Sequence, residues 1–395
     1  MDKKLIVHGT LIDGNGGTPL EDSAILIFGE RIEKVCAFSE MENIEDAEII
    51  DASGKYIIPG LIEGHAHTTG YRAVSVLQKS LQRGITTVAS VSAGKTGIEL
   101  RNEIASKKLT GCAKLIAGCI VTPTHGHVKD YQMGPADGPW EVRRMVRDFA
   151  ECEADFIKTA ASGGFWDKNE VCSVRNYTLE ELYALADEAH AWHLKCVVHA
   201  HTQPGINNSI EAGIDQIHHG AFIDEDGVYK IKEKGLFYMP TLRVTSIRNA
   251  DAWPDRPWMR EEMVEANPIH RKGVKLAREI GVKIMVGTDY PGSAREWEVG
   301  ESTAYEMMEM QKCGYTPLEL ITAATKTNAE GFGKEKDIGT VEAGKYADIV
   351  ILNETPLNDI EVLHRKETIA CVLRDGYVEY ADMNYKKHFK LDYYR

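Results

Sequence analysis

No Cys-x-x-Cys pair occurs in this chain of 395 residues, although it carries eight cysteines, at positions 36, 112, 119, 152, 172, 196, 313 and 371. Several of them lie inside apolar strand-like runs, a pattern of buried free thiols in a reducing compartment rather than of a disulfide framework. No stretch reaches the roughly 18 uncharged apolar residues that a membrane-spanning helix needs. The apolar run at the amino terminus, Leu5-Ile6-Val7, is also far shorter than the core of an export signal, about 7 to 15 residues. These absences together predict a cytoplasmic protein. There is no basic excess either: 46 Lys and Arg stand against 60 Asp and Glu, leaving a formal charge of −14 spread along the chain without an acidic tail. Nucleic acid and anionic membrane are therefore excluded as natural partners.

What is present is a composition able to bury a sizeable core, with 43% hydrophobic residues against 27% charged. The length fits two or three average domains, or one large α/β barrel with a small appendage. Residues 1 to 58 read as short β runs with hairpin punctuation, among them Leu5 to His8, Ala24 to Phe28, Arg31 to Val35 and Glu48 to Asp51. The other end answers with Ala347 to Leu352, Ile369 to Leu373, the turn Asp375-Gly376, and Tyr377 to Tyr380. Between the ends, eight apolar runs alternate with helix-length amphipathic segments: Ile57 to Glu63, Ile85 to Val91, Lys114 to Val121, Asp155 to Thr159, Lys195 to Ala200, Gln216 to His219, Leu236 to Thr241 and Val282 to Gly287. Trp140 to Cys152 and Leu179 to Trp192 are two of the predicted helices, the second opened by Thr178 with Glu181 as a capping box. An open doubly wound sheet is disfavoured because no Gly-x-Gly-x-x-Gly follows the first strand. The predicted fold is α/β, a (β/α)8 barrel over 59–336 with a small β-sandwich domain built from both termini, 1–58 plus 337–395.

Eight of the fourteen histidines fall in four pairs, His65/His67, His125/His127, His199/His201 and His218/His219, each ending or following an apolar run. In such a barrel the carboxyl ends of all strands face one mouth, so these pairs converge there as a metal site requires. Two positions apart on a strand, His65 and His67 present both imidazoles to one face. Asp289 adds a carboxylate after strand eight, behind Gly287, which lets the backbone approach closely. Lys158 ends strand four. It is either a lysine paired with an acid or, beside metal ions, an amine that has taken up carbon dioxide to become a bridging carboxylate.

These residues resemble the amidohydrolase superfamily, and within it the metal-dependent prolidase-like and arginine carboxypeptidase-like branch, with imidazolonepropionase-like relatives. The resemblance lies in Pro59-Gly60-Leu61-Ile62-Glu63-Gly64-His65-Ala66-His67, Phe156-Ile157-Lys158 before Ser162-Gly163-Gly164, Val198-His199-Ala200-His201, His218-His219-Gly220, Gly287-Thr288-Asp289 and the stretch from Gly339 to Asp348. It implies two divalent metal ions, with zinc the first expectation and manganese, cobalt or iron suited to the same ligands. His65, His67 and Asp289 would bind one ion, His199 and His219 the other, and carbamylated Lys158 would bridge them with a hydroxide between. Asp289 would shuttle the proton to the departing amine. Strand alternation points only one of His218 and His219 inward, and the resemblance chooses His219; the family commonly has glutamate where His218 stands.

His127 falls where relatives keep a histidine near the substrate, whereas His125 is assigned to solvent or loop packing. His201 contacts either substrate or an outer carboxylate. Arg243, Arg248 and Arg256, with Trp253 in the loop after strand seven, suit either a substrate carboxylate or surface ion pairs, and Arg243 heads the substrate-binding candidates. The resemblance implies a binuclear hydrolase cleaving an amide bond in a dipeptide, N-acyl amino acid or related carboxamide, acting on a small molecule and self-assembling into dimers or larger rings. The alternatives are a mononuclear deaminase or cyclic-amide hydrolase, which has no need of Lys158, and a barrel that has lost catalysis.

Overall fold

Short apolar stretches broken by turns at the amino end become strands β1 (Lys3–Leu11), β2 (Leu20–Phe28), β3 (Arg31–Ala37), β4 (Ala47–Asp51) and β5 (Tyr56–Pro59). The computed structural model describes residues 3–128, 134–291, 299–383 and 385–387. The middle of the chain supplies β6 (Leu61–Ala66), β7 (Ile85–Ser90), β8 (Lys114–Val121), β9 (Phe156–Ala160), β10 (Lys195–Ala200), β11 (Gln216–His219), β12 (Phe237–Met239) and β13 (Lys283–Ile284). The carboxyl end adds β14 (Ile349–Leu352), β15 (Ile369–Arg374) and β16 (Tyr377–Ala381).

Both ends of the chain share one mixed sheet in the order β16-β15-β14-β5-β1-β2-β3, with β4 also paired to β1. Its core is drawn from both ends as well, Ile6, Ile25, Ile27 and Ile57 being buried with Ile349, Ile351 and Leu373. The run Ile57 to Glu63, expected as one strand, divides at Gly60 between two sheets. A side chain at Gly60 would start 2.1 Å from Thr86 Oγ1, so only glycine allows this crossing.

The second sheet is parallel and curled, with its eight strands in sequence order from β6 to β13. Helices cover its outer face. Helix Gly138–Glu151 turns Val142, Val146 and Phe149 inward, and Leu179–Ala191 does the same with Leu182, Leu185 and Ala189, behind the expected capping box of Thr178 and Glu181. Phe156, Val197, Phe237, Met239 and Met285 fill the inner face. The two edges of the sheet meet: Gly64 N–H donates to Val286 C=O (3.1 Å), His67 N–H to Tyr290 C=O (2.7 Å) and Tyr290 N–H to His65 C=O (3.2 Å). Close approach there needs glycine, because a Cβ on Gly287 would lie 2.8 Å from His65 N and one on Gly64 would lie 2.7 Å from Val286 O. The eighth strand is shorter than expected because Asn328 takes over its ladder, Oδ1 accepting from Val286 N–H and Nδ2 donating to the carbonyls of Ile62 and Val286. Among the described residues no helix is long and apolar enough to cross a membrane.

Candidate metal centre

Candidate ligands gather where the parallel strands end, in two groups. His65 lies on β6 and His67 just beyond it, and both Nε2 atoms face Asp289 Oδ1, at 3.3 and 3.1 Å. Ligand atoms of His65, His67 and Asp289 all lie within 4.8 Å of one another, as do those of His199, His201 and His219. Thus every histidine proposed from sequence as a metal ligand is in one of the two groups. His201, assigned to substrate or an outer carboxylate, stands beside His199 and His219 as a third nitrogen donor.

Backbone strain helps to aim these groups. His219, Thr241 and Asp289 have φ of 73°, 50° and 54° at the ends of their strands, in the left-handed region that side chains disfavour. At His219 this breaks the alternation of β11. Both His218 and His219 therefore turn toward His65, with ring centroids 4.8 and 4.9 Å away, contrary to the expectation that only one faces inward.

The imidazoles of His65, His67, His199 and His219 are each held through one nitrogen, which orients the other, whereas His201 Nδ1 is buried without a hydrogen-bond partner among the described residues. His67 Nδ1 is 2.9 Å from Ser92 Oγ, His199 Nε2 is 3.1 Å from the Gly163 carbonyl, and His219 Nδ1 is 2.7 Å from Thr241 Oγ1. For His65 the partners dictate where the proton sits. Gln216 Nε2 donates to Gly331 C=O (2.8 Å), which leaves its Oε1 facing His218 Nε2 (3.1 Å). An amide oxygen only accepts, so His218 carries its proton on Nε2 and accepts through Nδ1 from His65 Nδ1, 2.8 Å away. His65 Nε2 is left as a lone pair pointing at a carboxylate oxygen. Two such atoms 3.3 Å apart repel each other, and a divalent cation bound by both turns that repulsion into attraction.

Lys158, expected at the end of its strand, lies in the middle of β9, which runs on to Ala160, and its amine sits in the same site. It is buried, and its Nζ has no hydrogen-bond partner. Burial pushes the amine down to about 7, with Asp289 opposing the shift. Its charge acts in turn on His65, His199 and His218. Burial first, then Lys158, pushes His65 down to about 3, and burial keeps His199, His201 and His219 well below the usual imidazole range. Burial would raise the Asp289 carboxyl, but the histidines around it, His65 first and then His67 and His219, hold it well below the usual carboxylate range. The result is neutral imidazoles, an ionised carboxylate and an orphaned amine, a donor set suited to divalent cations.

Two buried acids beneath the site escaped sequence reasoning as functional residues. Glu63 Oε1 accepts from the N–H groups of His65 and Thr288 (both 2.9 Å) and Oε2 from Thr303 Oγ1 (2.6 Å), tying the first strand to the residue before Asp289. Glu306 accepts from Leu242 N–H (2.7 Å) and Arg243 N–H (2.6 Å). Burial pushes Glu63 up to about 7 and Glu306 up to about 8. The available signal was an acid on the buried face of helix Val299–Gln311. His270 was also missed; its Nε2 is 2.9 Å from the His219 carbonyl.

A cavity of about 450 Å³ opens onto His67, His199, His201 and Asp289. His127 lines it, stacked on His199 at 3.8 Å and paired through Nδ1 with Glu170, and His125, expected in solvent or loop packing, lines it as well. Of the three loop arginines only Arg243 lines this cavity, its Nη1 donating to Thr288 C=O (3.3 Å). Arg256 stacks on Trp166 at 3.7 Å and donates to the Trp166 carbonyl, and Arg248 lies 5.5 Å from the Tyr305 ring.

A family model described as the amidohydrolase family matches residues 56–378. The chain belongs to the amidohydrolase family. It is a hydrolase acting on carbon–nitrogen bonds, in a family whose members are typically metal-dependent. Among amidohydrolases it is similar to ochratoxinase of Aspergillus niger, 26% identical over 426 residues that cover 94% of this chain and 85% of that protein. Imidazolonepropionase of Geobacillus sp. is 23% identical over 396 residues, covering 86% of this chain and 84% of that one. The crystal structure of a Xaa-Pro dipeptidase with methionine bound in its active site superposes with a TM-score of 0.85 at 27% identity, covering 96% of this chain and all of that one.

Proposed function

We propose that this amidohydrolase cleaves the amide bond of a small substrate, such as a dipeptide, an N-acyl amino acid or a related carboxamide, at a centre of two divalent metal ions. In this reading the parallel strands close into a (β/α)8 barrel, the hydrogen bonds between β6 and the residues after β13 supporting closure. The mixed sheet is the small domain, 1–58 plus 337–395. His65, His67 and Asp289 would hold one ion and His199 and His219 the other, with Lys158 carbamylated between them.

The observation that carries the reading is the Lys158 amine, buried without a partner beside both groups of donors. A structural lysine would be paired with an acid. Near neutral pH a large share of this amine is free base, able to attack carbon dioxide: the N–C bond forms as one C=O π bond opens, the nitrogen loses a proton, and the neutral amine becomes an anionic carbamate. Zinc is the first expectation for these donors, with manganese, cobalt and iron compatible. Bound there, the ions would supply a water acidified toward neutral pH and a Lewis acid for the substrate carbonyl. Asp289, ionised and facing His67 Nε2 at 3.1 Å, accepts a proton from the attacking water and hands it to the departing amine. Arg243 offers a guanidinium to a substrate carboxylate, and His127, fixed by Glu170, flanks the scissile bond. The similarity to ochratoxinase and to a Xaa-Pro dipeptidase supports amide cleavage.

The test is metal analysis combined with a panel of dipeptides, N-acyl amino acids and aryl amides. The expected result is close to two ions per active chain, amide hydrolysis, and loss of activity on chelation. Full activity with one ion, releasing only ammonia from an amine-bearing ring, would instead select the mononuclear deaminase.

A further inference from the structure

The cavity beside the candidate metal centre has two kinds of lining: His67, His199, His201, Asp289 and Arg243 supply polar groups, and Phe165, Trp166, Val244, Trp253, Met259 and Met263 supply an apolar wall that adjoins them where the Phe165 ring lies 4.5 Å from that of His201. Phe165, Val244, Trp253, Met259 and Met263 belong to one buried apolar cluster, so this wall is a fixed part of the fold. Trp166 meets Trp253 edge to face, with centroids 5.0 Å apart at 75°. Of the polar groups nearby, Glu170 is engaged with His127, Asp167 Oδ1 with Asn169 N–H, and Arg256 with the ring and carbonyl of Trp166.

We infer that this wall is a substrate subsite for a bulky apolar group, an aromatic ring above all, carried by the substrate on one side of its scissile bond. The inference rests on the amide-hydrolase reading and adds the substrate class to it. Two tryptophan rings and a phenylalanine offer faces and edges to a flat ring, and two methionines adapt to its outline. A charged or strongly polar group there would lose its water to an apolar wall and receive few hydrogen bonds in return. Small groups such as hydrogen or methyl would leave the wall unfilled. Transferring a side chain the size of phenylalanine or leucine from water to such a wall corresponds to about 10- to 150-fold in binding.

The experiment compares kcat/KM of the metal-loaded protein on two dipeptide series, Xaa-Ala and Ala-Xaa, with Xaa being Gly, Asp, Lys, Leu, Phe or Trp. In one series Phe and Trp should exceed Gly, Asp and Lys by about tenfold or more, and that series identifies the side of the bond that faces the wall. Trp166→Ala, at a partly exposed position, should shrink the preference for Phe over Gly, mainly through KM. Trp253→Ala should shrink it further, and its melting curve reports whether the variant folds. If no amide is cleaved, the amide-hydrolase reading fails and takes the subsite with it. If amides are cleaved but Gly, Asp or Lys does as well as Phe in both series, or if Trp166→Ala keeps the full preference, the subsite is overturned while the hydrolase reading stands.

Discussion

Gln216 and His218 end at the His65 imidazole, and their contribution is to keep the proton off His65 Nε2. His218→Leu removes the acceptor for His65 Nδ1–H, so the metal affinity of that site should fall by about 10- to 100-fold. His218→Gln keeps an acceptor in its amide oxygen and should recover most of the loss. Titrating cobalt or zinc into the chelated protein reads this directly. Equal affinity in the leucine and glutamine variants would mean that His218 only fills space. At this scale the candidate ligands were legible because short motifs mark the strand ends. The orientation of His218 was not, since a left-handed φ at His219 leaves no trace in a period-two pattern. His201 was likewise visible as a candidate, but its place beside His199 and His219 depends on strand curvature.

Helix Val299–Gln311 sends Glu306 under the strand ends, where it receives the N–H groups of Leu242 and Arg243. Its folded-state value of about 8 lies above the 4.5 expected when unfolded. The folded protein therefore binds this proton more tightly, and the associated stability is present below about 4.5 and lost as the pH rises through about 8. In metal-free protein, the melting temperature of Glu306→Gln should fall less steeply between pH 5 and 8 than that of the parent; equal slopes would show that Glu306 does not titrate there. Most elements could be read from the sequence: the capping box at Thr178, the alternation of β runs with helices, and the hairpin at Asp375-Gly376. The split of Ile57 to Glu63 between two sheets could not, because a continuous apolar run looks alike whether one partner sheet or two receive it. The short eighth strand escaped for a different reason, its ladder bonds being taken by a side chain 42 residues away.

At the scale of the whole molecule, the mixed sheet and the parallel sheet are joined by a polar contact. Lys114 on β8 reaches Asp348 (2.8 Å) and Asp375 (2.6 Å), with its ammonium 4.2 Å from the Tyr346 ring. Lys114→Met would leave the buried Asp348 carboxylate without a cation and Asp375 with only Arg374, 3.8 Å away, among the described residues. The cost should be about 3 kcal/mol in denaturant unfolding, at the low end for a broken buried pair because Lys114 is itself partly exposed. Turnover of the folded enzyme should be little changed; unchanged stability would show that water replaces the lysine. The way the two ends of the chain join in one sheet was legible from their shared β character, but this contact depends on three residues far apart in sequence. The central claim, that Lys158 bridges two ions, is tested most directly by Lys158→Ala, assayed for metal content and turnover with and without added acetate or propionate. The account predicts loss of the second ion and of most activity, both partly restored by the small carboxylic acid. Two ions and near-normal turnover in Lys158→Ala without any added acid would contradict it.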